Sequence, residues 1–303
     1  MRLLVVEFVT AGGLGPSPAT SLLAEGRLML DAVVEDAGRC GTVVTVDADE
    51  TSDPDRLVHR WIDRYKQQRC DAALVIAPET GGVLRTTVHR MRRDGCRVIA
   101  PTDAVIELTG DKAASARWCQ TTGVPHPPTY WGDRRAEIEC DRIAKPIDGC
   151  GSLGIRMTRD RSARGGEILQ DYVAGQPASI AIIGDGRRKW LTHPVTQHID
   201  PTSLQYRGGR SLTDAKLIAR ATALGQTVAD RLGPITGWIG IDVVLAAAAP
   251  QDCVIELNPR ITTSYIGLRR CTSVNLIAAQ IDTPARPTSW RPVCWDVALE
   301  TAK

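Results

Sequence analysis

Short runs of apolar residues alternate with amphipathic stretches along the first hundred residues. Four of these runs predict buried strands, at residues 2–9, 43–46, 73–77 and 97–100. Between them, residues 20–36 and 54–69 are compatible with helices. Because strand and helix alternate, we expect a parallel sheet with crossover helices, which forms a Rossmann-like lobe over residues 1–101.

The pattern changes after Pro101, where shorter elements follow one another closely. Residues 102–128 predict one or two short helices, which the glycine and prolines of GVPHPP end. Strands are then predicted at residues 142–146, 153–157, 167–173, 178–183, 190–199, 238–246 and 252–258. We expect the last two to be antiparallel, with a turn around Pro250.

The clearest helical pattern lies at residues 211–232. Apolar residues recur there on one face at helical spacing, and Gly233 and Pro234 end the pattern. Ser211 and Asp214 have the spacing of a capping box. We assign this helix a structural role.

Composition and charge narrow the functional class. The 303 residues carry a formal net charge of +2 without a long run of one sign, which argues against a nucleic-acid or membrane partner. The start, MRLLVVEFV, is too short an apolar run for a signal peptide, and no segment has the apolar length of a spanning helix, so we expect a cytoplasmic protein. The nine cysteines contain no CxxC pair, which argues against a zinc ribbon or a disulfide framework.

Polar residues interrupt two of the predicted strands near the C-terminal end. In CVIELN, Glu256 and Asn258 project from the same face, and Arg260 follows just beyond. Asp242 lies in the apolar strand GWIGIDVVL, where an unpaired carboxylate is costly. A salt bridge would remove that cost, and so would a divalent cation shared with Glu256. Asp242, Glu256 and Asn258 together supply the oxygen ligands that Mg²⁺ prefers.

Two lysines and a glycine-rich turn precede these acids. Lys145 ends a predicted strand and is followed by Gly149, Gly151, Ser152 and Gly154. Backbone N–H groups in such a turn can approach an anion closely, and the lysine adds a positive charge that suits phosphate. Lys112 lies in the first turn of a predicted helix, where the helix dipole favours anions. The alternatives are a flexible hairpin and two solvated surface lysines.

The order of these features resembles the ATP-grasp superfamily. Two lysines, a glycine loop and then Asp followed by Glu-x-Asn-Pro-Arg succeed one another over residues 102–282. The resemblance implies a fold of mixed α/β and α+β class, namely an ATP-grasp fold with an N-terminal Rossmann-like pre-ATP-grasp lobe. We expect a substrate lobe at 1–101, a small lobe with a glycine-rich flap at 102–169, and a large lobe with the metal and substrate site at 170–303.

The same resemblance assigns roles to individual residues. Lys112 and Lys145 would contact the phosphates of ATP beneath a flap that runs from Asp148 to Gly154. Adenine would be held by the hinge segment LQDYVAGQPAS, through Gln170, Asp171, Tyr172, Val173 and Ser179.

In the superfamily, two Mg²⁺ ions accompany the nucleotide, and Mn²⁺ could replace them. Here they would be held by Asp242, Glu256 and Asn258, and Arg260 would act with Lys145 at the transferred phosphate. One departure stands out, because Gly175, Gln176 and Pro177 occupy the place where many relatives carry an acid that binds ribose. The ribose contact therefore stays open.

A closer resemblance is to the tyramine–glutamate ligase group. It rests on EFVTAGG, QDYVAGQPAS, QYRGG and ELNPRITTSYIGL. It implies a ligase that activates a carboxylate as an acyl phosphate and joins it to an amine, here glutamate and tyramine, with release of ADP and phosphate. Because relatives are commonly dimers, it also implies a homodimer. Two alternatives stay open, namely another acid and amine pair, and a sensor that binds ATP without turnover.

The residues expected to meet the substrates surround these motifs. Beside Arg260, they are Thr262, Thr263 and Ser264 after the last strand, Tyr206, Gly208 and Gly209 in a predicted substrate loop, and Glu7 at the end of the first strand. Glu7 could meet a substrate amine or serve only as a turn residue. His193 and His198 are candidates for the base that deprotonates the amine, or structural residues.

Overall fold

The computed structural model describes residues 1–15, 19–48, 53–281 and 289–298. Its helices are α1 Thr20–Gly38, α2 Pro54–Gln67, α3 Val83–Arg93, α4 Asp103–Gly110, α5 Lys112–Thr122, α6 Ala215–Leu232, α7 Tyr265–Cys271 and α8 Ala278–Ile281. Its strands are β1 Arg2–Glu7, β2 Thr42–Val44, β3 Ala72–Ile76, β4 Thr129–Tyr130, β5 Arg142–Pro146, β6 Arg156–Thr158, β7 Glu167–Asp171, β8 Gly175–Asp185, β9 Lys189–Leu191, β10 Val195–Ile199, β11 Tyr206–Ser211, β12 Thr236–Ala246, β13 Cys253–Asn258 and β14 Cys294–Asp296. No described helix is both long and apolar enough to cross a membrane.

The first lobe is built on a three-stranded parallel sheet in the order β2–β1–β3. One face packs against α2 and α3, in a cluster that includes Trp61 and Met91. The other face packs against α1 and the large sheet, where Val33 and Trp238 share one cluster. The sheet is buried on both faces, which explains why its strands are almost continuously apolar.

The predicted fourth strand of this lobe is shortened to a single bridge, in which Ala73 N donates to Arg97 O and Ile99 N donates to Ala73 O, both at 2.8 Å. Of residues 97–100, only Val98 makes a parallel bridge, to Ala73. Arg92 donates to the carbonyl oxygens of Ala100 and Pro101 at 2.7 and 2.9 Å. These carbonyls therefore point to a guanidinium instead of a neighbouring strand.

Arg92 belongs to α3, a helix that the sequence pattern did not predict. Its sequence, VLRTTVHRMRR, contains four β-branched residues, which are weak helix formers. Only Leu84, Thr87, Val88 and Met91 are buried in it.

The small lobe is a four-stranded antiparallel sheet in the order β4–β7–β5–β6, preceded by α4 and α5. These two helices confirm the prediction for residues 102–128. Thr102 and Asp111 cap their N-termini, and Gly123, with φ of 72°, ends α5. β7 runs through the predicted boundary between residues 169 and 170. The domain limits stay a prediction, and residues 282–288 and 299–303 of the large lobe lie outside the described ranges.

The large lobe contains a sheet in the order β13–β12–β8–β10–β11–β14, with β9 beside β8. β8 and β12 pair antiparallel along all eleven residues of each strand. α6 packs on one face of this sheet through residues such as Val228. The antiparallel pairing of β12 with β13 confirms the prediction, and a short 3₁₀ turn, Ala249–Gln251, joins them.

Three predictions for this lobe are corrected. The strand expected at 190–199 is split into β9 and β10, and Pro194, which lacks an N–H group, lies between them. Residues 206–211 form β11 instead of a loop, so Ser211 lies in a strand and makes no capping box. Asp214 alone caps α6, and its side chain accepts from the backbone N–H groups of Lys216 and Leu217 at 2.8 and 3.0 Å.

Candidate active site

A cavity of about 630 Å³ opens where the first lobe, the small sheet and the large sheet meet. Most of the sequence-predicted residues lie in its wall, including both lysines, the three oxygen donors, the hinge and Arg260. Among the residues assigned to the nucleotide, the metal or the substrates, Gly154, Gly208 and Gly209 do not line it. The structure thus gathers residues that are up to 257 positions apart in the sequence, from Glu7 to Ser264.

Gly208 and Gly209 are better explained by packing than by a substrate. Both lie in β11, which pairs with β10 and with β14. A Cβ atom on Gly209 would lie 2.8 Å from the ring of Trp295 and would clash with the carbonyl oxygen of Thr196. The two glycines thus lie in a packed strand outside the cavity wall instead of a loop, whereas Tyr206 does reach the cavity.

The predicted metal ligands come together at the floor of the cavity. Asp242 lies opposite Glu256 in the β12–β13 pair, and Asn258 is one pleat further along the same face. Asn258 Nδ2 donates to Asp242 Oδ2 at 3.2 Å, and Gln197 Nε2 donates to Asp242 Oδ1 at 2.9 Å. Gln197 was not predicted, because it comes from β10, a strand whose sequence carries no metal-binding motif.

The donor set fits a hard divalent cation. Two carboxylates and one amide, with substrate phosphates and water, form the kind of oxygen shell that Mg²⁺ takes. Among the described residues, no group of three or more His, Cys, Asp or Glu side chains is arranged to hold a metal without such help. The residues therefore suit a cation that arrives with a phosphate ligand.

Both lysines are buried beside these acids, which excludes the surface-lysine alternative. Lys112 is 9% exposed and Lys145 is 5% exposed. Lys112 Nζ lies 3.1 Å from Glu256 Oε1 and donates to the carbonyl oxygen of Gly149 at 2.6 Å. Lys145 Nζ donates to Gln170 Oε1 at 2.8 Å. The side chain of Gln170 thus orients a lysine, which the sequence did not indicate.

The acids and lysines of this group shift one another's pKa values. Burial and the neighbouring Glu256 raise the pKa of Asp242 to about 6. Burial opposes ionisation of Glu256, yet Lys112 and Lys145 lower its pKa below the usual value. Burial lowers the pKa of Lys145 despite Glu256, whereas for Lys112 the attraction of Glu256 and Glu79 outweighs burial and raises the pKa.

The glycine-rich flap folds back over the cavity. Gly151, Ser152 and Gly154 have φ angles of 62°, 58° and 70°, in the left-handed region that suits glycine and is uncommon for serine. A Cβ atom on Gly151 would lie 2.5 Å from Leu22 of α1, so the flap touches the first lobe. Gly154 packs on Pro146 instead of the cavity, which explains why it is absent from the wall.

The hinge between β7 and β8 is held by a buried arginine that sequence inspection missed. Arg142 is 0% exposed, and its Nε donates to Asp171 Oδ1 at 2.8 Å. It also donates to the carbonyl oxygens of Ile138, Cys140 and Asp160. Tyr172 N donates to the carbonyl of Asp141 at 2.9 Å, so the hinge backbone is fixed from the small sheet.

The first-lobe end of the cavity carries two acids. Glu7 is buried and accepts from the backbone N–H groups of Val9 and Thr10 at 3.2 and 2.6 Å. Glu25, which was not predicted, accepts from Thr263 Oγ1 at 3.0 Å. Burial raises the pKa of both carboxyl groups. No arginine or lysine forms an ion pair with either acid among the described residues.

The histidines considered as bases do not line the cavity. His193 Nε2 is 2.8 Å from the carbonyl oxygen of Leu212, and its ring lies 5.7 Å from that of Trp290. The geometry therefore favours the structural alternative for His193.

Comparison with known proteins decides the family. A family model described as an ATP-grasp domain matches residues 109–264, and one described as a pre ATP-grasp 3 domain matches residues 28–106. The chain belongs to the ATP-grasp family. The predicted fold, an ATP-grasp fold with a pre-ATP-grasp lobe, is confirmed.

Two curated relatives of this ATP-grasp chain are tyramine–L-glutamate ligases. That of Methanocaldococcus fervens is 25% identical over 207 residues, which is 68% of this chain and 64% of the relative. That of Methanocaldococcus jannaschii is 21% identical over 285 residues, which is 88% of this chain and 84% of the relative. The first match thus spans less than two thirds of its relative.

Solved structures share the ATP-grasp fold. An ATP-grasp superfamily protein of Archaeoglobus fulgidus has a TM-score of 0.77 at 19% identity, covering 96% of this chain and 91% of that one. The biotin carboxylase domain of Hydrogenobacter thermophilus 2-oxoglutarate carboxylase, a dimer with MgADP, has a TM-score of 0.70 at 17% identity, covering 95% and 71%. The two relatives are named as ligases, and the biotin carboxylase structure carries MgADP. For this chain, ligase activity and the use of ATP and Mg²⁺ are proposals that these names support. The number of ions, the use of Mn²⁺, a homodimer and the individual site residues stay predictions.

Proposed function

We propose that this chain is an ATP-dependent carboxylate–amine ligase that joins glutamate to tyramine and releases ADP and phosphate. The observation that carries the proposal is the meeting of three oxygen donors, Asp242, Glu256 and Asn258, with two buried lysines in one cavity. Such a set suits a triphosphate and its cation. The names of the two relatives support this choice of substrates.

We expect different parts of the cavity wall to bind different parts of the nucleotide. Lys112, Lys145 and the flap amides would hold phosphate oxygens, and the hinge backbone near Tyr172 would face the adenine. Asp242, Glu256 and Asn258 would hold Mg²⁺. A cation held there would supply neutralisation of the phosphate charge.

The proposed chemistry has two steps. A carboxylate oxygen of glutamate attacks the terminal phosphorus of ATP, the bond to the ADP oxygen breaks, and an acyl phosphate forms. The ammonium form of the amine loses a proton to water, and the neutral amine then attacks the carbonyl carbon. Phosphate leaves with the electron pair of the C–O bond, and a second amine proton passes to phosphate or water. Arg260, in the cavity wall, would stabilise charge on the transferred phosphate and on the oxyanion of the second step.

The first-lobe end of the cavity supports a cationic amine with an apolar body. Glu7 and Glu25 supply negative charge there, beside the apolar side chains of Val9, Leu22 and Met29. An ammonium group would meet the carboxylates, and an aromatic ring such as that of tyramine would cover the apolar wall. The flap, which touches Leu22, would exclude water from the acyl phosphate.

An ADP-release assay tests the proposal. The protein is incubated with ATP, Mg²⁺, glutamate and tyramine, and the product mass is followed together with ADP. ADP that forms only when acid and amine are both present supports a ligase. AMP as the product would contradict the acyl phosphate route. Tight ATP binding without turnover over a panel of acids and amines would favour the sensor instead.

A further inference from the structure

The segment that follows β3, residues 78–82, lies between Arg260 and the flap. It belongs to the first lobe, whereas Arg260 follows β13 of the large lobe. Glu79 Oε1 accepts from Arg260 Nε at 2.9 Å, across 181 positions of sequence. This ion pair therefore joins two lobes at the wall of the cavity.

Glu79 is an unusual carboxylate. It is 7% exposed, and its Oε2 atom is buried without a hydrogen-bond partner among the described residues. An unsatisfied buried oxygen is costly, so a structural role alone explains Glu79 poorly.

The ion pair fixes the guanidinium from one side. Nε of Arg260 is bound by Glu79, and Nη1 donates to the carbonyl oxygen of Ile261 at 3.4 Å. Among the described residues, no acceptor binds Nη2. Since Arg260 lines the cavity, the remaining donors are available to a ligand there.

The same segment also forms hydrogen bonds to the flap. Gly81 N donates to Asp148 Oδ2 at 2.7 Å, and Thr80 Oγ1 donates to the carbonyl oxygen of Asp148 at 3.0 Å. The residues that hold Arg260 and the residues that dock the flap are consecutive. Placement of the arginine and closure of the flap therefore depend on one short piece of chain.

We propose that Glu79 is a positioning residue that directs Arg260 towards the terminal phosphate of the bound nucleotide. This inference rests on the proposed function, since it requires ATP in the cavity. Glu79 itself touches no substrate. It acts through the charge-assisted hydrogen bond to Nε, which limits the orientations of the guanidinium.

Binding of two nucleotides tests the proposal without turnover. We compare Mg²⁺ with ADP and Mg²⁺ with a non-hydrolysable ATP analogue by titration calorimetry. Glu79→Gln should weaken analogue binding about tenfold, because a charge-assisted bond is lost, and should change ADP binding less than about twofold. Glu107→Gln is the matched control, because Glu107 is exposed and pairs with Arg85 on the surface.

A second variant separates positioning from folding. Arg260→Lys keeps a cation but loses the Nε donor, so Glu79→Gln should have little further effect in that background. If Glu79→Gln does not fold, as judged by circular dichroism, Glu79→Asp is used in the same cycle and should weaken analogue binding selectively.

Each outcome decides a different question. Selective loss of analogue affinity that disappears in the Arg260→Lys background supports positioning. Equal loss for both nucleotides, or additive effects of the two substitutions, would overturn the inference while leaving the ligase proposal intact. A wild-type protein that binds neither nucleotide would overturn both.

Discussion

Asp242 and Glu256 face each other across the antiparallel pair of β12 and β13. Their pKa values move in opposite directions: burial and the charge of Glu256 raise the pKa of Asp242, whereas Lys112, at 3.1 Å, and Lys145 lower the pKa of Glu256 despite its burial. Two adjacent acids therefore differ in their readiness to ionise. Replacing Asp242 should therefore affect a bound cation differently from replacing Glu256.

Glu256→Gln should reduce ligase turnover by roughly 100-fold or more, because a neutral amide is a weaker cation ligand. The variant should keep the wild-type circular dichroism spectrum. Glu139→Gln, at an exposed position of the small lobe, is the control and should turn over normally. Near-normal turnover in Glu256→Gln would show that Glu256 does not hold the cation.

Glu25→Gln should raise the KM for the amine about tenfold, since one of the two carboxylates that would meet the ammonium loses its charge. The KM for ATP should hardly change, because Glu25 lies at the first-lobe end of the cavity. Asp31→Asn, at an exposed position of α1, serves as the control. A rise in the KM for glutamate alone would reassign Glu25 to the acid substrate.

Arg142→Ala should destabilise the fold by about 3–5 kcal/mol, because Asp171 and several carbonyl groups lose a buried cationic partner. Urea unfolding measures this loss. Arg159→Ala removes the neighbouring surface ion pair with Asp141 and should change the unfolding midpoint little. Equal midpoints for the two variants would mean that Arg142 does not fix the hinge.

Gly209→Ala should destabilise the protein by roughly 1–3 kcal/mol, because the added methyl group meets Trp295 and the backbone of Thr196. The folded fraction should retain the wild-type KM for each substrate. Gly165→Ala is the control, since no atom lies within 4 Å of its added Cβ. A raised KM with unchanged stability would instead restore Gly209 to the substrate site.

His193 should make stability depend on pH. Burial lowers its pKa below the usual 6.5 in the folded protein. Above pH 6.5 it is neutral in both states, and below that value the unfolded chain takes up a proton that the folded protein resists. The wild type should therefore lose more stability between pH 7.5 and 5.5 than His193→Gln does, as measured by urea midpoints. Parallel losses in the two proteins would contradict this assignment.

Local sequence patterns identified those candidate site residues whose placement depends on a single helix, strand or turn. Strand alternation placed Glu256 and Asn258 on one face, and the cost of a carboxylate in an apolar strand singled out Asp242. The two lysines were likewise found from a helix start and a glycine-rich turn. These features depend only on neighbours in sequence.

Local patterns failed where the fold brings distant segments together. Glu79, Gln197 and Glu25 carry no motif, and each matters only through a partner on another element, such as Arg260 for Glu79. β11 was missed for a related reason. Its glycines weaken strand propensity, and only the ring of Trp295 and the neighbouring backbone explain why they are there.

The full-length pairing of β8 with β12 has a mechanical consequence. Ser179 lies opposite Asp242 in this ladder, and each also has a partner on its other side, Ser179 in β10 and Asp242 in β13. Asp242 therefore lies on a strand that is hydrogen-bonded on both sides. We expect closure over a bound nucleotide to move the small sheet and its flap, while the strands that carry Asp242 and Glu256 keep their positions.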